Sequence, residues 1–234
     1  MTRFKIIEIA GRRRRQRSDL VTTEFPLTVE VNSRQVANLA CTPRDLKDLV
    51  VGLLYTSGFI NGLEDLLSLR IARNRRKASA EIRPPLAPLE SSPKKIRRGS
   101  GFRVEPQTIF RLIKRFQKTS AEFLKTGGIH SAALCSRDKI LIFREDLGRH
   151  NALDKVIGAA LVEKREAADG FILVSGRVPA DVLLKIARAR VSLLASLSAP
   201  TDRAVQMARR EGITLIGFAR ENRFNIYSAV DRVK

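Results

Sequence analysis

Residues 126–163 read TGGIHSAALCSRDKILIFREDLGRHNALDKVIGAALVE. Two apolar runs of strand length, 131–135 and 139–143, precede a run with helical character at 151–163. Between them lies the glycine-bearing turn Gly148-Arg149-His150-Asn151. Toward the C-terminus the alternation continues, with strands expected at 171–174, 192–194, 214–218 and 225–227 and helices at 180–189 and 201–210. Strands that alternate with helices pack as α/β layers, so residues 106–234 are expected to form a core in which a largely parallel or mixed sheet is flanked by helices.

Upstream, the pattern is strand-rich. Residues 4–9 alternate, the basic run Arg12 to Arg15 interrupts them, and 27–31 followed by 35–41 reads as a hairpin turning at Asn32-Ser33. Thr42-Pro43-Arg44-Asp45 resembles a capping box with Thr42 as the cap, and Leu46, Leu49, Val50, Leu53 and Leu54 follow at helical spacing as far as Gly58. Two shorter strands are expected at 68–73 and 78–82. Residues 83–103, rich in proline and carrying Lys94, Lys95, Arg97 and Arg98, read as a long basic loop. A single helix is expected over 106–125, with Ile109, Leu112, Ile113, Phe116 and Phe123 on one stripe. The chain thus divides into a smaller strand-rich region, 1–105, and the α/β core.

The 234 residues are 44% hydrophobic and 29% charged, which excludes a chain disordered throughout. No window holds the roughly 18 uninterrupted apolar residues of a membrane helix, so a cytoplasmic protein is the expectation, with no membrane partner. Two cysteines exclude a disulfide scaffold and a four-thiolate zinc site. Forty-four Lys and Arg against 24 Asp and Glu leave +20, shared evenly between 1–105 and 106–234. Such a field favours a polyanionic partner, whether nucleic acid, acidic protein or a phosphorylated small molecule. Nucleic acid is the weaker reading, because the basic clusters contain almost no aromatic side chains for base stacking.

Four junctions combine small residues with polar or cationic ones: Gly127-Gly128 before His130, Gly148-Arg149-His150-Asn151, Ser175-Gly176-Arg177 and Ser198-Ala199-Pro200-Thr201. Glycine admits close approach of a ligand, the first turn of a helix favours an anion, and such turns gather at the carboxyl ends of strands in open α/β sheets. With Arg149 and Arg177 they suggest a phosphate or pyrophosphate site. Neither a G-x-G-x-x-G nor a Walker pattern is present. His150 and Asp154 are one helical turn apart and are expected to share a face; each His has a structural alternative as a satisfied donor. Cys41, ahead of the expected helix start, has the placement in which a helix N-terminus lowers a thiol pKa, against the commoner fate of a small buried hydrophobe.

The blocks Glu24 to Asn32, Cys41-Thr42-Pro43-Arg44-Asp45, Thr126-Gly127-Gly128-Ile129-His130, Glu145 to Lys155, Ser175-Gly176-Arg177, Ser198 to Thr201 and Ile216 to Tyr227 resemble, in order, the FdhD family. The resemblance implies an accessory protein of formate dehydrogenase. It would accept sulfur from a cysteine desulfurase as a sulfurtransferase and pass it to the bis-molybdopterin guanine dinucleotide (Mo-bis-MGD) cofactor. It implies a cytidine-deaminase-like core with a smaller subdomain, a homodimer, and a guanine dinucleotide end held partly at Phe218, Ala219, Arg220, Glu221, Asn222 and Arg223, with GDP as a mimic. The zinc signature of deaminases is missing, since His130-Ser131-Ala132 lacks the Glu and no thiol pair follows. The family's sulfur-carrying Cys-x-x-Cys is missing too: the corresponding stretch, 94–102, reads KKIRRGSGF. This leaves two expectations, a cofactor-binding member that does not relay sulfur or one that relays it through Cys41.

Overall fold

The computed structural model describes residues 1–83 and 102–234, so the basic loop expected at 83–103 falls almost wholly outside the described residues. The chain opens with an antiparallel ribbon of β1 (Thr2–Ala10) and β2 (Arg13–Val21). The basic run Arg12 to Arg15 was expected to break the strand pattern; instead Arg13, Arg14 and Arg15 belong to β2, and the turn falls at Gly11, whose φ of 61° suits glycine.

The expected hairpin forms as β3 (Phe25–Val31) and β4 (Arg34–Cys41). Asn32 and Ser33 both take positive φ at the turn. With β5 (Leu66–Ala72) and β6 (Lys77–Ile82) these strands form a four-stranded sheet of order β4-β3-β6-β5, in which β3 and β6 run parallel. Helix α1 (Leu46–Thr56) covers it, burying Leu46, Leu49, Val50 and Leu54 against Leu27, Val29 and Ala78. Thr42 is not the cap. The helix begins after Asp45, which is in the left-handed region and makes no side-chain cap, because Thr42 is drawn toward Asp146, to which both its backbone N–H (3.0 Å) and its hydroxyl (3.2 Å) donate.

The second half contains α2 (Pro106–Thr119), α3 (Ala121–Thr126), β7 (His130–Cys135), β8 (Ile140–Asp146), α4 (Arg149–Val162), β9 (Phe171–Val174), α5 (Ala180–Arg188), β10 (Leu193–Ser196), α6 (Asp202–Glu211), β11 (Thr214–Gly217) and β12 (Asn225–Ser228). The single helix expected over 106–125 is broken at Ser120. Its hydroxyl turns inward to the Ser131 hydroxyl at 2.8 Å and to Glu145 Oε1 at 2.5 Å, which ties the chain to the sheet and ends the turn there.

The sheet order is β12-β11-β10-β9-β7-β8: β9, β10 and β11 are parallel, while β7, β8 and β12 run antiparallel to their neighbours. Period-two alternation sends Ala132, Leu134, Ile172, Val174, Leu194 and Leu215 to one face, against α4, α5 and α6. The intervening Ala133, Cys135, Phe171, Leu173, Ala195 and Ile216 go to the other, where they meet Ile109, Leu112, Ile113 and Phe116 of α2. The expected mixed sheet flanked by helices, with a smaller strand-rich sheet beside it, is what the chain forms. Among the described residues no helix is long and apolar enough to cross a membrane.

Candidate functional site

The parallel strands end along one edge of the large sheet, and serines close it. Ser175, just past β9, accepts the Ser131 N–H at 2.9 Å and lies 3.4 Å from His130 Nδ1. Ser196, at the end of β10, donates to the Gly176 carbonyl at 2.7 Å and accepts from the Ser198 N–H at 2.9 Å. Past β11, Phe218 N–H donates to Ser198 O at 3.1 Å. A run of hydrogen bonds therefore joins Gly176, Ser196, Ser198 and Phe218 across three strand ends. Phe218 has a φ of 52°, an uncommon conformation for a side chain of that size, and is partly exposed to solvent. Arg220 pins this turn by donating to the carbonyls of Leu197 (2.5 Å) and Ala219 (2.9 Å).

At the other end of the edge, Gly176 packs against Arg149 and His130. A Cβ at Gly176 would stand 3.0 Å from Arg149 Cβ and 3.2 Å from His130 Nδ1, tighter than side chains normally approach. Arg149 opens α4, whose cap, Gly148, offers no side chain and whose first turn carries no acid. The neighbouring helices are already served: Asp181 Oδ1 accepts the Val182 N–H at the start of α5, and Thr201 accepts the Ala204 N–H at the start of α6. Arg149 Nε is buried with no hydrogen-bond partner among the described residues. A buried unsatisfied donor costs about 1–3 kcal/mol, so it marks a place where an acceptor is wanted. Burial holds the His130 pKa below its usual value, and the guanidinium groups of Arg149 and Arg177 push it further in the same direction.

His130 and Ser175 also border a cavity of about 560 Å³, which Gly127 and Gly128 line as well. Its remaining walls are mostly apolar, among them Phe116, Phe123, Leu147 and Leu197. The site is therefore in two parts that meet at His130 and Ser175: an apolar cavity, and a cationic shelf with Arg149, Gly176 and exposed Arg177. Glu221, Asn222 and Arg223 lie outside both, in a turn closed by Arg220 N–H to Arg223 O at 2.8 Å, and Glu221 faces Lys114 at 3.2 Å.

Not every residue of the family blocks is free for a ligand. Asn151 is buried and its amide donates to Ala40 O and to Asp146 Oδ1, both at 2.8 Å. His150 does not pair with Asp154; its Nε2 faces Asp181 at 3.6 Å, and burial lowers its pKa despite that carboxylate. Asp154 points inward instead, to Lys185 Nζ at 2.6 Å and the Thr56 hydroxyl at 2.7 Å, where α1, α4 and α5 meet. Lys155 and Asp146 form a fully buried pair at 2.7 Å; Lys155 also donates to Thr42, and Asp146 accepts from Gly148 N–H at 3.1 Å. This network fixes the turn that presents Arg149. Thr42, Asn151 and Ser198 were singled out from sequence in other roles, as a helix cap and in ligand junctions; Asp146, Lys155, Ser131 and Ser196 were not singled out as site residues, and for Asp146 and the two serines a polar residue at the end of or within an apolar strand run was the signal.

The thiols are placed against reactivity. Of the two readings of Cys41, the small buried hydrophobe is the one the chain adopts: it ends β4 with no exposure and donates to Phe25 O at 3.3 Å. Burial and the Asp146 carboxylate push its pKa up to about 12, against the pull of Lys155. Cys135, inside β7, is pushed up by burial alone. Among the described residues no three His, Cys, Asp or Glu side chains are grouped to hold a metal.

The FdhD/NarQ family model matches residues 22–101 and 86–234. The sulfur carrier protein FdhD of Listeria innocua is 36% identical over 237 residues, covering 91% of each chain. That of Bacillus subtilis is 35% identical over 238 residues, covering 92% of this chain and 91% of the other. A crystal structure described as a formate dehydrogenase accessory protein from Desulfotalea psychrophila superposes with a TM-score of 0.87 at 25% identity, covering 100% of this chain and 99% of that one.

Proposed function

The chain belongs to the FdhD/NarQ family, and from that premise we propose that it is a formate dehydrogenase accessory protein that binds the guanine dinucleotide form of the molybdenum cofactor at the carboxyl edge of its large sheet. The reading takes a formate dehydrogenase apoprotein as the protein served, a cysteine desulfurase as the family's sulfur source and a homodimer as the assembly. The observation that carries the binding reading is Arg149 Nε, buried without a partner beside Gly176 at the uncapped start of α4. A phosphate oxygen there satisfies the orphaned donor and gains the first-turn amides of α4. The cavity beyond His130 is mostly apolar and suits a planar heterocycle, so the two parts match the two halves of a nucleotide.

A sulfur carrier works through a thiolate that accepts sulfur as a persulfide. The stretch 94–102 has no cysteine, and Cys41 and Cys135 are buried with raised pKa values, so we read this chain as a binder of the cofactor that does not itself relay sulfur. Calorimetry and thermal shift with GDP test the site. Wild-type protein should gain stability from millimolar GDP, Arg149→Ala should lose that gain, and absence of any gain overturns the reading. Incubation with a desulfurase and cysteine, followed by mass spectrometry, tests the sulfur half: a one-sulfur adduct on Cys41 would restore the relay.

A further inference from the structure

The ribbon of β1 and β2 precedes residue 22, where the match to the family model begins, and most of it stands clear of the body. Its tip at Gly11 has open space around it, and its base is held by the Thr2 and Thr23 hydroxyls at 3.2 Å and by Thr22 to Thr126 at 2.9 Å. A two-stranded ribbon is marginal in water on its own, and this one carries seven Lys and Arg against two carboxylates. The two faces treat that charge differently. On one face Glu8 pairs with Arg15 and, at 3.2 Å, with Arg17, while Asp19 accepts from Arg17 at 3.4 Å. Cross-strand register puts Arg3, Lys5, Ile7, Ile9 and Arg14 on the opposite face, which has no carboxylate at all. Ile7 is 53% exposed and Ile9 64% exposed, and Ile9 lies directly across from Arg14.

We propose that this unpaired face docks an acidic protein partner that presents apolar side chains between its carboxylates. On one face two carboxylates offset all but one of three arginines, and on the other the charge is left whole, which is what a surface awaiting opposite charge requires. Two exposed isoleucines among the cations call for an apolar counterpart, which neither a nucleic-acid backbone nor bulk water provides. A second copy of the ribbon is disfavoured as occupant, since face-to-face pairing would set like charges against each other. The proposal is independent of the cofactor site.

The test uses the full chain and three labelled probes: a short peptide alternating Glu and Val, its counterpart with Ser in place of Val, and a short DNA duplex. The Glu/Val peptide is expected to bind at least about tenfold more tightly than the Glu/Ser peptide, as burial of apolar surface requires. Ile7→Ser with Ile9→Ser, and separately Lys5→Glu with Arg14→Glu, should each weaken it by about tenfold, whereas Phe4→Ser on the paired face should leave it within about twofold. Amide exchange of the ribbon checks that it stays paired; if serine opens it, Ile7→Thr with Ile9→Thr supplies the same readout with β-branching kept. Equal binding of both peptides, full displacement by DNA, or a dimer that dissociates when Ile7 and Ile9 are replaced would each overturn the proposal.

Discussion

Gly158 of α4 lies directly against Gly52 of α1: a Cβ on Gly158 would stand 2.7 Å from the Gly52 nitrogen and overlap the Asp48 carbonyl, and a Cβ on Gly52 would overlap the carbonyl of Asp154. The helix that covers the small sheet therefore touches, backbone to backbone, the helix that presents Arg149. Replacing either glycine by alanine forces the helices apart and should destabilise by about 3 kcal/mol or more, the upper range of overpacking. Urea denaturation checks this. The double replacement should cost less than the sum, because one displacement accommodates both methyl groups.

The buried pair of Lys155 and Asp146 predicts a different signature. Lys155→Met leaves a buried carboxylate with its cation gone, and Asp146→Asn strands a buried ammonium, so each should cost about 3–5 kcal/mol. Replacing both by apolar residues should cost less than either alone, since no uncompensated charge remains. A double-mutant cycle in urea measures it, and additive losses would show that Thr42 and Asn151, not the ion pair, hold the turn.

The layer order, the hairpin and the placement of helices were legible because apolar periodicity over long segments reports burial directly, as in 171–174 and 180–189. What was not legible was partner choice. Thr42, Asp146, Asn151 and Lys155 meet across about a hundred residues of sequence, and nothing local says that a capping-box threonine will donate to a distant carboxylate instead. For the thiol of Cys41 the commoner fate of a small buried hydrophobe holds, and activation by a helix start does not, because the helix begins later and the side chain is enclosed. The strand-to-helix glycines do lie along the edge where the parallel strands end, but sequence could not separate the apolar cavity from the cationic shelf.

Thiol chemistry follows from that enclosure. Native protein at pH 8 should resist iodoacetamide at both cysteines, and denaturant should expose both at once. Because the Cys41 pKa is raised from 9.0 to about 12 in the fold, its contribution to stability is complete below pH 9 and declines as pH rises from there toward 12. Cys41→Ser should reduce that alkaline decline and leave the share of the buried Cys135; a wild-type melting curve with no fall above pH 9 contradicts the assignment.

Both histidines have pKa values held below 6.5, so the sign is opposite at the acid end. The unfolded chain takes up protons first as pH falls below 6.5, and the histidine contribution to stability, complete above that pH, declines. A bound phosphate reverses this at His130. It offsets the positive charge of Arg149 and Arg177, raises the His130 pKa, and so makes binding take up a proton. GDP affinity should therefore increase as pH falls below 6.5, by up to tenfold for each pKa unit gained. Since the phosphates of GDP titrate nearby, the comparison is with His130→Gln, whose pH profile carries the ligand's own titration and lacks the histidine's. The two profiles should run parallel above pH 7.5 and separate below 6.5; curves parallel throughout would remove His130 from contact with the bound anion while leaving Arg149 as its anchor.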